Sequence, residues 1–265
     1  MSRDLLHMDE VKEVVRSTYR AVDRTTEAVA ERFYEPDDLA QLPRGAIERA
    51  LGVANHLRFT SIEPGDVVLD IGCGGGIDSI LAARRTGPTG RVIALDFLPE
   101  MLERTAAAAA EAGLENVEPL HAEMEAIELP DESVDLIVSN GVINLSPRKA
   151  RVMAECARVL RPGGRFCVSD LTVEQGRLPP EIATQPAVWA GCIAGALEED
   201  DFLRKLERAG FADVEVLNRE PLSVDDCELY PLFSDEVIEL MRTLIPAQQQ
   251  TEIAVSVVVR ASRSQ

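Results

Sequence analysis

The chain has 265 residues, 46% of them hydrophobic, with 46 acidic against 27 basic side chains and a formal charge of -19. That charge repels phosphate backbones and anionic lipid surfaces, so nucleic acid and membrane are excluded as expected partners in favour of a small-molecule substrate. No apolar run reaches the roughly 18 residues of a membrane helix, MSRDLLHMDE lacks the regions of a signal peptide, and five irregularly spaced cysteines form neither a disulfide framework nor a zinc set. A cytoplasmic chain with reduced thiols, no metal site and one core carrying an elaborated cap is expected, its oligomeric state left open.

Met8, Val11, Val14, Val15, Tyr19 and Val22 recur at helical spacing, which predicts an opening amphipathic helix and assigns residues 1–60 to a helical lid. From residue 66, short β-branched runs alternate with helical stretches, the pattern of an α/β fold whose parallel sheet is covered on both faces. Strands are predicted at 67–71, 91–96, 117–121, 134–139, 165–170, 213–217 and 253–261. PEMLERTAAAAAEAG and PRKARVMAECARVLRPGG read as crossover helices, stopped by Gly113 and by Pro162-Gly163-Gly164; Val152, Met153, Cys156, Val159 and Leu160 share one face of the second. The core is drawn at 61–218, with a substrate cap inserted at 171–202 and a C-terminal extension at 219–265 that includes the last strand.

VVLDIGCGGGIDS places Gly72, Gly74 and Gly76 between a strand and a helix, where backbone amides face a ligand. A dinucleotide fingerprint would carry its third glycine where Ile77 stands, and no Lys-Ser/Thr pair follows, so phosphate is poorly served. Asp96 ends the second strand 24 residues after Gly72, where a carboxylate accepts both hydroxyls of a ribose. Asp70, beside the loop, is available to an ammonium or sulfonium cation, and Ala122-Glu123-Met124 forms a third acidic strand end.

Together with AEMEAIELPDESVDLIVSN and RVLRPGGRF, these segments resemble the motifs of class I S-adenosylmethionine-dependent methyltransferases. The resemblance implies a Rossmann-like, mostly parallel seven-stranded sheet of order 3-2-1-4-5-7-6. It further implies S-adenosylmethionine as cofactor and S-adenosylhomocysteine as its product. The glycines and Ile77 would face the methionyl part, Asp96 the ribose, Phe97 and Met101 the adenine face, and Ala122, Glu123 and Met124 the adenine edge. Asn140, at the fourth strand's end, would touch the cofactor or orient the acceptor.

SNGVINLSP, GGRFCVSD and WAGCIAGALEEDDFLRKLERAGFADVEV extend the resemblance to the bacterial arsenite methyltransferases, nearly continuously from about 36 to 218. That family holds trivalent arsenic with cysteine thiolates. At two of the three positions this chain has Val53 and Gly141, and only Cys192 remains. One thiolate cannot chelate the metalloid, so the acceptor is expected to be organic, with Tyr19, Val53, His56, Gly141, Trp189 and Cys192 around it.

Several of these residues admit a second role. Asn140 can cap its strand, Asn144 can orient an acceptor or cap the helix near Pro147, Cys192 can be a catalytic or a packed core thiol, and Trp189 can wall the pocket or anchor the cap. His7, His56 and His121 have no metal spacing; His56 is the candidate base. Three functions stay open: methyl transfer to a carbon, oxygen, nitrogen or sulfur nucleophile, arsenite methylation through Cys192 with external thiols, and non-catalytic S-adenosylmethionine binding.

Overall fold

A computed structural model describes residues 8–22 and 24–265; His7 lies outside them. The apolar stripe read from the opening residues forms α1 (Met8–Arg20), which buries Val11 and Val15 against the body of the protein. α2 (Glu27–Phe33) and two single turns, α3 (Pro36–Leu39) and α4 (Arg44–Ile47), complete the segment ahead of the sheet.

The alternating part follows as β1 (Val67–Ile71), α5 (Ile77–Thr86), β2 (Arg91–Asp96), α6 (Pro99–Glu111), β3 (Val117–His121), β4 (Val134–Asn140), α7 (Lys149–Val159) and β5 (Leu160–Thr172). Two short cap helices, α8 (Pro180–Ala183) and α9 (Pro186–Ala190), precede α10 (Glu199–Arg208) and β6 (Phe211–Leu222). α11 (Asp235–Leu244) then leads into β7 (Ala254–Arg263). The sheet has the order β3-β2-β1-β4-β5-β7-β6, as the resemblance implied. The first five strands run parallel, and β7 is antiparallel to both β5 and β6. The inner strands are covered on both faces, so β1 and β4 are near-continuous apolar runs and not alternating ones. Among the described residues no helix is long and apolar enough to cross a membrane, and no His, Cys, Asp or Glu cluster is suited to a metal ion.

The Pro162-Gly163-Gly164 turn does not end α7. The helix stops at Val159, and Leu160, already extended, pairs with Val134 as the first residue of β5. Arg165 pairs with Leu136, so the four residues between bulge out opposite one. β6 and β7 also run beyond the expected 213–217 and 253–261, because they pair with each other along their length.

Behind the sheet, the Phe166 and Phe211 rings lie 4.8 Å apart at 48°. Phe166 is fully buried. Phe166→Ala is expected to cost about 3–5 kcal/mol in urea unfolding; a loss below about 1 kcal/mol would show that this end of the sheet repacks freely.

Candidate functional site

The carboxyl ends of β1, β2 and β4, roofed by α1, enclose a cleft of about 1320 Å³ counted out to its mouth. The glycine loop turns back over β2 because the Gly72 and Cys73 amides donate to the Leu95 carbonyl at 2.8 and 3.0 Å. Asp96 stands on the wall, accepting from Gly74 N at 3.2 Å and Leu98 N at 3.0 Å. Each carboxylate oxygen keeps a further lone pair for a ligand. Burial raises the Asp96 carboxyl above its ordinary range, opposed by these amide bonds. Gly72, Gly74, Ile77, Phe97, Met101, Ala122, Glu123 and Met124 also line the cleft, whereas Gly76 sits behind the loop as the residue preceding α5. Lys12 of α1 reaches Glu123 at 2.6 Å and fastens the roof.

Asn140 lies on this wall with its amide fully engaged. Its Oδ1 accepts from Val53 N and Ser169 Oγ, both at 2.8 Å. Its Nδ2 faces three acceptors: Ala54 O at 2.8 Å, Tyr34 Oη at 3.1 Å and Asp78 Oδ2 at 3.1 Å. No donor is left to orient an acceptor, so Asn140 is a positioning residue. Sequence reading missed Asp78 and Tyr34, joined by a 2.7 Å hydrogen bond, and the cations Arg49 and Arg104. Asp78 was within reach, since it follows the glycine loop in the first turn of α5; Tyr34 depends on the path of a segment with no repeating pattern.

A second, smaller chamber adjoins the cleft and shares Tyr19, Leu51 and Gly141 with it. Here Val53, Gly141 and Cys192, the three thiol positions of the resemblance, meet. Gly141 has φ +70°, and a Cβ on it would lie 3.3 Å from Val53 Cγ1. Cys192 donates its thiol to the Gly141 carbonyl at 2.9 Å, and burial, then Asp170, hold it well above the usual thiol range. It is a thiol and not a thiolate. Tyr230, Leu232, Phe233 and Leu222, unforeseen as site residues, close the far side.

Besides Gly76, four expected residues are absent from both walls. Asp70 is buried beneath the loop, where Ser79 Oγ donates to it at 2.5 Å; burial, then Asp78, raise its carboxyl. Asn144 neither orients an acceptor nor caps a helix. It holds Asp170 through its backbone N at 2.9 Å and Nδ2 at 2.8 Å, while Ser146 Oγ accepts from Arg148 N ahead of α7. Trp189 faces Lys149, whose Nζ is 6.0 Å from the ring centroid, and so anchors the cap. The fourth is His56.

Residues 62–210 match the family described as "Methyltransferase domain". An arsenite methyltransferase of Halobacterium salinarum is 40% identical over 199 residues, 75% of this chain and 50% of that one. A demethylmenaquinone methyltransferase of Listeria monocytogenes is 34% identical over 114 residues, 43% of this chain and 48% of that one. The crystal structure of an arsenic (III) S-adenosylmethionine methyltransferase from Chlamydomonas reinhardtii superposes with TM-score 0.65 at 29% identity, covering 95% of this chain and 73% of that one. The chain spans about half the length of these curated relatives.

His56 is fully buried, and among the described residues neither ring nitrogen has a hydrogen-bond partner. It cannot act as a base on a ligand it does not reach. Burial lowers its pKa from the ordinary value near 6.5, opposed by Asp78 and reinforced by Arg85. The unfolded chain therefore binds the proton first as pH falls, and stability drops as pH falls through about 6.5. Buried carboxyls such as Asp70 and Asp96 contribute the opposite trend, so the readout is the difference: in thermal unfolding from pH 8 to 5.5, wild type should lose stability relative to His56→Leu, and a difference that does not change with pH would refute it.

Proposed function

The chain belongs to the class I S-adenosylmethionine-dependent methyltransferases, and from that premise we propose that it methylates a small organic acceptor and not arsenic. One observation supports this above the rest: only one of the three thiol positions around the second chamber carries sulfur, and that sulfur is a buried thiol spent on the Gly141 carbonyl. A thiophilic metalloid needs two or three thiolates. The Listeria relative, by its name, acts on an organic acceptor.

The cleft fits the cofactor. Asp96 offers two carboxylate oxygens to ribose hydroxyls, Glu123 an acceptor to the adenine amine, and Phe97, Met101 and Met124 apolar faces to its ring. S-adenosylmethionine supplies an electrophilic methyl group when bound. Asp78 and Glu125, both on the same wall, add negative charge suited to a sulfonium. In-line displacement rewards positioning and dryness. The Lys12–Glu123 bridge holds the roof that excludes water, and the Asn140 hydrogen bonds fix the junction between the two chambers. Tyr19, Tyr230 and Cys192 are each kept protonated by burial, so none serves as a base at neutral pH. The five cysteines are free thiols, which suits a cytoplasmic location.

Methylation of arsenite remains the second reading, favoured by the Halobacterium and Chlamydomonas proteins; it requires external thiols to complete the set around Cys192.

Asp96→Ala is expected to weaken S-adenosylhomocysteine roughly 10- to 150-fold in calorimetry, the loss of a charged acceptor; unchanged affinity would move the ribose elsewhere. With S-adenosylmethionine, arsenite and excess glutathione, mass spectrometry should find no methylated arsenic, and its appearance would establish the second reading. Val53→Cys with Gly141→Cys should raise arsenite affinity roughly tenfold or more, although the cysteine at 141 must adopt the left-handed φ of +70°, so thermal unfolding first confirms that the variant is folded. No gain would mean that the chamber has diverged beyond its thiols.

A further inference from the structure

Among the described residues, every polar side chain on the wall of the second chamber is already bound. Tyr19 Oη donates to Ala190 O at 3.3 Å, Tyr230 Oη to Gly52 O at 3.0 Å, and Cys192 Sγ to Gly141 O at 2.9 Å. The remaining lining is Leu, Val, Phe, Ala and Gly, without a charged side chain. A charge brought here would lose its hydration and gain no partner. The chamber encloses about 340 Å³ counted out to its mouth, much of it narrow gaps between wall atoms, and its open space is room for about one water.

Its outer wall is the segment 222–233, beyond the family-matched residues 62–210. The segment is held by the Arg32–Asp226 ion pair, by Tyr230 on Gly52, and by Phe233 seated on Gly191. A Cβ at Gly191 would stand 2.5 Å from Phe233 Cζ, so only glycine lets the ring approach.

Resting on the organic-acceptor reading above, we propose that this chamber receives an uncharged, largely apolar ring compound, which makes its room by displacing the 222–233 segment, and that Tyr230 and Phe233 select it. Their aromatic faces suit a planar ring. The acceptor's lone pair forms the bond to the methyl carbon as the carbon–sulfur bond breaks toward sulfur. The methylated product keeps the acceptor's proton until it meets bulk water on release, because no described wall residue is free to take it.

The test is calorimetry on the full chain saturated with S-adenosylhomocysteine, using 2-naphthol and its carboxylated counterpart 6-hydroxy-2-naphthoate as probes. 2-Naphthol should bind, and the carboxylate roughly tenfold or more weakly. Phe233→Ala, and independently Leu222→Ala, should weaken 2-naphthol roughly tenfold, with S-adenosylhomocysteine affinity within about twofold of wild type. Equal binding of the two probes, no binding of 2-naphthol, or indifference to both variants would overturn the proposal while leaving the methyltransferase reading intact. Failure of wild type to bind S-adenosylhomocysteine would overturn both.

Discussion

A single amide at the end of β4 joins parts of the chain that are remote in sequence. Asn140 takes the Val53 amide and the Ala54 carbonyl from the segment before the sheet, Ser169 from β5, and Asp78 with Tyr34 from beside the glycine loop. The buried groups it satisfies would each cost about 1–3 kcal/mol if left unpaired. Gly52 passes so close that any side chain there would strike the Asn140 amide. Through this junction the chain places Leu51 and Val53 beside Gly141, which sets where the cleft ends and the smaller chamber begins.

The two chambers differ in electrostatic character. The cleft presents Asp78, Asp96, Glu123 and Glu125 with Lys12, Arg49 and Arg104, a mixed-charge wall in which ionic groups find partners. The smaller chamber has no ionisable group able to charge near neutrality, since burial keeps its tyrosines and its cysteine protonated. Tyr19 belongs to both walls. Its hydroxyl bonds the Ala190 carbonyl, so α1 and the cap helix α9 meet at the boundary between the polar and the dry side.

Much of the fold was legible because the strands obey local rules. Apolar β-branched runs, glycine after β1 and an acid after β2 locate the sheet and the cleft edge without tertiary knowledge. The bulge in β5 was not, because Pro162-Gly163-Gly164 carries the same local signature whether it ends a helix or loops out of a strand; pairing with β4 decides. Site residues divide the same way. Asp96 and Glu123 sit at strand ends, where backbone geometry aims them. Asp70, Asn144, Trp189 and His56 are polar or aromatic groups whose partners, Ser79, Asp170, Lys149 and a closed core, come from packing that periodicity does not encode. The aromatic wall at Tyr230 and Phe233 was illegible for that reason: residues 223–246 show helical character, but no local pattern says whether they line the pocket, and Tyr230 and Phe233 fall between a single turn at Asp225–Leu229 and α11.

The place of β7 orders the folding of the molecule in time. β7 lies between β5 and β6, yet it is the last strand in the chain. As the polypeptide leaves the ribosome, β5 presents an open edge along one side, and β6 has no neighbour to pair with until residues 254–263 emerge. This closure joins residues nearly a hundred positions apart, such as Phe166 and Ala261, and is the slow, non-local kind of contact. Residues 223–233 follow β6 and precede β7, so the smaller chamber acquires its outer wall after the residues that line the cleft have been made. The nascent chain thus completes its cleft before its dry chamber.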